Sequence, residues 1–223
     1  MVPGGLLRDL PLTPREAIAL QQRLRERVIR RRTFRRLRLV AGVDVSVKDD
    51  LSRSAVVVLT FPEMEVVESA TAERPVEFPY VPGLLAFREV PVIREAVRKL
   101  STRPELLLVD GHGYAHPRRF GVACHLGVEL DVPSIGCGKS LFVGRHREPA
   151  AKRGGRARLH HGGEAIGTVL RTRDGVRPIF VSIGHRIDLA TAVRVVLRCC
   201  TKYRLPEPIR YADMLAGGES KFS

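Results

Sequence analysis

Hydrophobic residues recur along this chain with two different periods. Between Thr13 and Arg32, Ala17, Leu20, Leu24 and Val28 fall at helical spacing, with arginines on the other faces. Thr13-Pro14-Arg15-Glu16 supplies an N-cap, a proline at the first helical position and a glutamate three residues after the cap. The pattern predicts an amphipathic helix over 13–32. Three strand-like runs follow closely, Arg38–Val47, Ala55–Phe61 and Glu65–Arg74. Their short polar links, Lys48 to Arg53 and Pro62-Glu63, predict an antiparallel meander.

Pro75–Gly83 is irregular and punctuated by proline. Leu84–Glu89 reads as a short helical stretch, and Pro91 as the first residue of a new helix ending at Leu100. Leu106-Leu107-Leu108-Val109 is apolar without interruption, as in parallel strands covered on both faces. Beyond it the sequence predicts a helix from about Gly121 to Glu129 and a short strand at Ser134-Ile135-Gly136. A basic, glycine-rich loop over 144–163, strands near 164–170 and 178–183, and a last helix over Asp188–Lys202 complete the order. With no repeat, linker or break in composition, the expectation is one α/β domain over 1–223. Its mixed sheet would hold three antiparallel strands and then parallel ones, flanked by helices, with short flexible tails at both ends.

Composition adds that this core is aliphatic: 44% of residues are hydrophobic, only 5% are aromatic and there is no tryptophan. The formal charge of +14 suits a polyanionic partner, although a solvated basic surface gives the same number. Cys124, Cys137, Cys199 and Cys200 have no zinc-type spacing and read as free thiols. Neither a signal peptide nor a run long enough to span a membrane is visible, so a cytoplasmic location with no membrane contact is expected.

Candidate chemistry enters where carboxylates interrupt apolar strands. Asp44 lies within Val43-Asp44-Val45, and Asp110 ends Leu107-Leu108-Val109-Asp110. An ionised carboxylate there is costly unless it is paired or binds a cation. An edge-strand aspartate facing water, or a helix cap, is the plainer alternative for either one alone. If both approached a third carboxylate such as Glu89, Mg²⁺ or Mn²⁺ would turn repulsion into attraction, because all-oxygen ligation suits hard ions. Zinc is the weaker reading, since His112 and His116 sit in a glycine-rich loop with no following H-E-x-x-H pattern. Gly138-Lys139-Ser140 ends like a phosphate-binding loop, but Pro133 stands where its first glycine belongs.

Six blocks, in order, resemble the endonuclease V family: Gly42-Val43-Asp44-Val45-Ser46, Pro79-Tyr80-Val81-Pro82-Gly83, Phe87-Arg88-Glu89, Val109 through Arg119, Gly184-His185-Arg186-Ile187, and Leu205 through Asp213. The resemblance covers about residues 13–215. It implies a ribonuclease H-like fold and hydrolysis of the second phosphodiester 3′ to a deaminated adenine, leaving 3′-hydroxyl and 5′-phosphate. The implied partner is nucleic acid carrying deoxyinosine or inosine, and the expected assembly is a monomer. Asp44, Glu89 and Asp110 are the implied metal ligands, with Asp213 a fourth candidate. Lys139 and His185 would act near the scissile phosphate, and Arg88 and Arg118 would contact phosphates as well.

Pro79-Tyr80-Val81-Pro82 resembles the family's strand-separating wedge, and stiff flanking prolines suit insertion into a base stack. The resemblance puts Gly83, Leu85, Gly111, His116, Gly121 and Phe142 around the lesion base. The chain departs from the family pattern at Cys137-Gly138, at Phe142, at Arg177 and at Ile183. Two competitors stand beside this reading: a lesion-recognition module without useful catalysis, and a structure-specific nuclease of the same fold.

Overall fold

In the computed structural model, residues 13–218 are described; the tails expected to be flexible lie outside them. All strands join one eight-stranded sheet. Strands β1 (Leu39–Lys48), β2 (Leu51–Thr60) and β3 (Val66–Pro75) form the expected antiparallel meander. β4 (Leu106–Asp110) and β5 (Ser134–Gly138) add in parallel beside β1. β6 (Arg156–His161), β7 (Glu164–Leu170) and β8 (Ile179–His185) complete the order β3-β2-β1-β4-β5-β8-β7-β6, with β8 antiparallel to β5.

Helices cover both faces. The central strands are therefore apolar at successive positions. Helices α4 (Leu189–Cys199) and α5 (Glu207–Ala216) bury Val193, Val196, Ile209 and Ala212 against Val40, Leu106 and Leu108. On the other face, α2 (Ala86–Arg98) and α3 (Val122–Leu130) bury Val90, Ile93, Ala123 and Leu126 against Ala41, Val43, Leu107 and Val109. Helix α1 (Pro14–Arg25) docks through Ala17, Gln21 and Leu24.

The elements depart from sequence expectation for identifiable reasons. α1 has the predicted capping box but ends at Arg25, not Arg32. Its last turn tightens, and the chain beyond is captured by the sheet: the Ile29 amide donates to His185 Nδ1 at 3.2 Å. Pro91 does not restart a helix. It is absorbed into α2, where burial of Phe87, Val90, Val92, Ile93 and Ala96 offsets the one internal hydrogen bond that proline removes. β6 lies within the expected loop over 144–163, and α4 stops at Cys199 rather than Lys202. α5 has no counterpart in the predicted elements, because Pro206 and Pro208 at its start mask a helix that they in fact begin.

α5 reaches the site only because β1 has no side chain beneath its first turn. A Cβ on Gly42 would sit 1.8 Å from the Pro208 carbonyl oxygen and 2.6 Å from the Ile209 nitrogen. Gly42→Ala is expected to push α5 off the sheet at a cost of about 1–3 kcal/mol. A thermal melt should show the loss as a fall of about 3–10 °C, with activity falling further because Asp213 travels with the helix.

Candidate active site

Strand alternation and register bring the first two carboxylates together. Val43 pairs with Val109, and both are buried towards α2 and α3. The next residues, Asp44 and Asp110, therefore turn to the opposite face. There α5 brings in Asp213, beside the buried Ala212 that anchors it. One carboxylate oxygen from each of Asp44, Asp110 and Asp213 lies within 4.8 Å of the others. Glu89, from α2, lines the same cleft but is not a member of that tight group. Sequence reasoning ranked Glu89 above Asp213; the geometry places Asp213 nearer the other two.

A cation already stands among these acids. Lys139, just past the end of β5, places Nζ 2.5 Å from Asp110 Oδ2 and 3.2 Å from Asp213 Oδ1. Arg204 donates to the Lys139 carbonyl at 2.6 Å and fixes the turn that carries it. Partial burial alone would lower the lysine pKa, but the hydrogen bonds and charges of Asp110 and Asp213 raise it, so the ammonium stays charged.

The acids remain short of positive charge. Burial, then repulsion from Asp110, pushes Asp44 up to about 7 despite the opposing pull of Lys139. Burial, followed by Asp44 and Asp110, lifts Glu89 to about 8. Asp110 is also raised, chiefly by burial. An all-oxygen donor set at a half-buried strand end, destabilised by its own charge, fits a hard divalent cation. The residues present can hold a metal ion.

A second cavity, of about 240 Å³, adjoins the acidic cleft. Gly83, Leu85, Gly111, His116, Gly121 and Phe142 all line it, as do Tyr80, Val81 and Pro82. Leu85, Gly111, His112 and Ser140 belong to the walls of both cavities. Its mouth is rimmed by exposed apolar side chains, with Tyr80 71%, Leu85 41%, Leu141 46% and Phe142 42% exposed. Isolated exposed hydrophobics are ordinary; four around one opening form a patch that suits an apolar or aromatic ligand face. The Phe142 ring stacks on His112 at 5.6 Å between centroids and lies 5.4 Å from His116.

His116 and Arg118 shape this cavity in an unforeseen way. His116 Nε2 meets the Gly83 carbonyl at 3.0 Å, and Nδ1 accepts from the Arg118 amide at 3.2 Å. With both nitrogens engaged, Nε2 carries the proton; burial and then the Arg118 charge push the imidazole pKa down to about 4, keeping it neutral. The Arg118 guanidinium donates to the Gly83 carbonyl at 2.7 Å and to Gln21 Oε1 at 2.6 Å. Through these bonds it braces the cavity wall. Gln21 completes this brace by donating to the Gly83 and Phe120 carbonyls. Sequence reading missed Gln21; a glutamine on the buried stripe of α1 was the available signal. Arg88 stands 5.9 Å from the Tyr80 ring, with a buried Nε that has no hydrogen-bond partner.

His185 is not brought to the site. It pairs with Ser134, and Ser134 with Leu107, whereas Asp110 pairs with Cys137. That is three residues down the strands, about 10 Å along their direction, and two strands across from Asp110. Its ring accepts from the Ile29 amide and meets Asp131 Oδ1 at 3.3 Å, tying the segment after α1 to the α3–β5 corner. The ladder therefore sets His185 apart from the carboxylates, with its ring engaged by Ile29 and Asp131.

Acidic side chains gathered where central strands end, around a lysine, are suited to phosphodiester chemistry, and this sheet is the ribonuclease H-like one. The class is that of a ribonuclease H-like nuclease. A family profile described as endonuclease V matches residues 22–214, and the chain belongs to that family. It is 53% identical over 209 residues to endonuclease V of Trichormus variabilis, covering 92% of this chain and 95% of that protein. The crystal structure of endonuclease V from Streptomyces avermitilis superposes with a TM-score of 0.90 at 46% identity, covering 94% of this chain and 93% of the other. Endonuclease V of Ciona intestinalis, solved in complex with a 24mer DNA containing an inosine followed by a ribo-adenosine, is similar at 30% identity and TM-score 0.78, over 90% of this chain and 95% of that one.

Proposed function

We propose that this endonuclease seats a deaminated adenine in the cavity behind Phe142 and hydrolyses the second phosphodiester on its 3′ side, leaving 3′-hydroxyl and 5′-phosphate. The observation that carries this reading is the shared wall: Gly111 and His112 line both the cavity and the carboxylate cleft. A base held in one therefore fixes the backbone against the other.

Tyr80, exposed and stiffened between Pro79 and Pro82, would enter the stack that the base leaves. Unstacking costs a few kcal/mol, which an apolar rim can partly return. Asp44, Asp110, Asp213 and the outlying Glu89 would hold a divalent ion, with Mg²⁺ or Mn²⁺ the hard ions of suitable chemistry. Such an ion supplies Lewis acidity that favours attack by water and offsets charge on the phosphate. Lys139, kept charged by its two aspartates, can add positive charge as the five-coordinate phosphate forms. Arg88, beside Tyr80 and the Glu89 that follows it, is the remaining phosphate-contact candidate. The enzyme would work as a monomer in the cytoplasm, where its four free, buried cysteines need no oxidising surroundings. No helix among the described residues is long and apolar enough to cross a membrane.

The test is a denaturing gel of matched oligonucleotides carrying deoxyinosine in DNA, inosine in RNA, or adenine, with Mg²⁺ and with EDTA. The expected result is an Mg²⁺-dependent cut one nucleotide beyond the lesion. Lesion binding without a cut in Mg²⁺ or Mn²⁺ would favour a recognition module, and cutting that ignores the base would favour a structure-specific nuclease.

A further inference from the structure

The outermost strand of the sheet carries charge that the site described above does not use. Along β6, Arg156 and Arg158 are exposed and alternate with Ala157 and the buried Leu159. The preceding segment runs alongside through the Arg145–His160 bridge and adds Arg145 and Arg147, also exposed. These four arginines line one shallow concavity. Several arginines elsewhere are ion-paired, Arg74 with Glu77 and Glu95, Arg38 with Glu105, Arg210 with Glu207. Others, such as Arg35, Arg36, Arg98 and Arg103, are exposed and scattered; the four at the β6 edge differ in facing one concavity together. Here no ion pair or side-chain hydrogen bond engages Arg145, Arg147, Arg156 or Arg158 among the described residues. The nearby acids are committed elsewhere, Glu148 to Arg171 and Glu164 to Arg30 and Arg119.

Register ties this patch to the reaction centre. Asp110 pairs with Cys137, Cys137 with Val181, Val181 with Thr168, and Thr168 with Arg158. Arg158 therefore lies on the same row of the sheet as Asp110, four strands away, or about 19 Å at the usual strand spacing. Arg156 lies beyond it, level with the end of β5 from which Lys139 departs. The same stretch of chain that carries Lys139 and Phe142 continues directly into Arg145 and Arg147.

We propose that the β6 edge is a second nucleic-acid contact, a phosphate-backbone clamp that grips the flank of the substrate about six base pairs from the scissile bond. The distance follows from a rise of about 3.4 Å per base pair along the duplex. Guanidinium groups with no internal partner are free to pair with phosphate oxygens, and an exposed edge formed by β6 and the segment beside it, bearing four of them together, matches a polyanion in sign and in extent. Charges on an edge strand also deter edge-to-edge aggregation, which predicts no dependence on nucleic acid. The clamp adds affinity and leaves the chemistry alone. It rests on the reading of this chain as a nucleic-acid enzyme, but lesion-free binding tests it without any cutting.

The experiment compares the wild type with R145Q/R147Q/R156Q/R158Q. A control, R35Q/R36Q/R98Q/R103Q, removes the same charge from exposed positions near the start of β1 and the end of α2, at the end of the parallel strands opposite the carboxylates. Binding of a lesion-free 30-base-pair duplex is measured against salt concentration. The β6 variant should bind at least about tenfold more weakly at low salt, and its log–log salt slope should fall by about 2–4, near 0.9 for each phosphate no longer neutralised. The control should change far less. On a deoxyinosine duplex with flanks of only three base pairs, too short to reach the patch, the β6 variant and wild type should cut alike; on the long duplex the variant should show raised KM and unchanged kcat. The pairs R145Q/R147Q and R156Q/R158Q, tested separately, should each give part of the effect and guard against misfolding of the quadruple variant. An unchanged salt slope, an equal weakening in the control, or a defect that persists on the short duplex would overturn the proposal. So would aggregation of the variant with normal binding by its soluble fraction.

Discussion

Asp110→Ala is expected to reduce cleavage by at least about a thousandfold while binding of inosine-containing nucleic acid changes by no more than a few-fold. Asp110 is the residue through which the site is wired: it abuts Asp44 across the β1–β4 ladder, and Lys139 Nζ lies 2.5 Å from its carboxylate. Its removal takes one carboxylate from the group that could hold an ion and the nearer anchor from the lysine. Losing one preorganised group that stabilises developing charge costs about 10²–10³ in other enzymes, and here two such groups are disturbed together. Binding should survive because the base cavity is braced independently, by Gln21, His116 and Arg118 around Gly83. The loss of one negative charge also favours a polyanion. Single-turnover cleavage at saturating enzyme, beside filter binding of the same oligonucleotide, separates the two quantities. If cleavage persists near the wild-type rate, the assigned role of the aspartate is wrong; if binding collapses equally, the aspartate is structural.

The carboxylates differ in how visible they were before the fold was known. Asp44 and Asp110 stand out because a charge inside an apolar strand needs a reason, and strand alternation then puts them on one face. Asp213 stood out only through the family motif, because the helix that delivers it begins with Pro206-Glu207-Pro208 and pairs with nothing nearby in sequence. Its place depends on Gly42, some 170 positions earlier, being bare. His185 shows the converse. A histidine next to a glycine in a matching motif carries no information on how far along its strand it will sit, and the ladder put it at the wrong end. β6 was hidden because arginines fill the alternate positions that usually read as a strand's polar face, leaving Leu159 as its one large inward residue.

The same uncompensated charge that suits the site to a cation should make the metal-free protein sensitive to alkali. Asp44 rises from an ordinary value of 3.8 to about 7, through burial and then Asp110, and Glu89 from 4.5 to about 8, through burial and then its two aspartate neighbours. A carboxyl whose pKa is higher folded than unfolded binds protons more tightly in the native state. Its contribution is then fully present below the unfolded value and is lost as pH rises through the folded one. In EDTA, stability should accordingly decline between about pH 4 and pH 8 on account of these groups, opposite to the usual effect of paired carboxylates. Each 1 kcal/mol so lost corresponds to a Tm lower by about 2–4 °C for a chain of this size. Saturating Mg²⁺ should recover most of that difference at pH 8 and little at pH 5.5, where the acids are largely protonated and the ion must compete with protons. Asp44→Asn, which removes one of the repelling charges, should flatten the EDTA profile and weaken the response to Mg²⁺. Melting curves at the two pH values, with and without the ion, give four numbers for each protein. A wild type that melts at the same temperature in all four conditions would mean that its carboxylates neither repel one another as placed nor gather an ion.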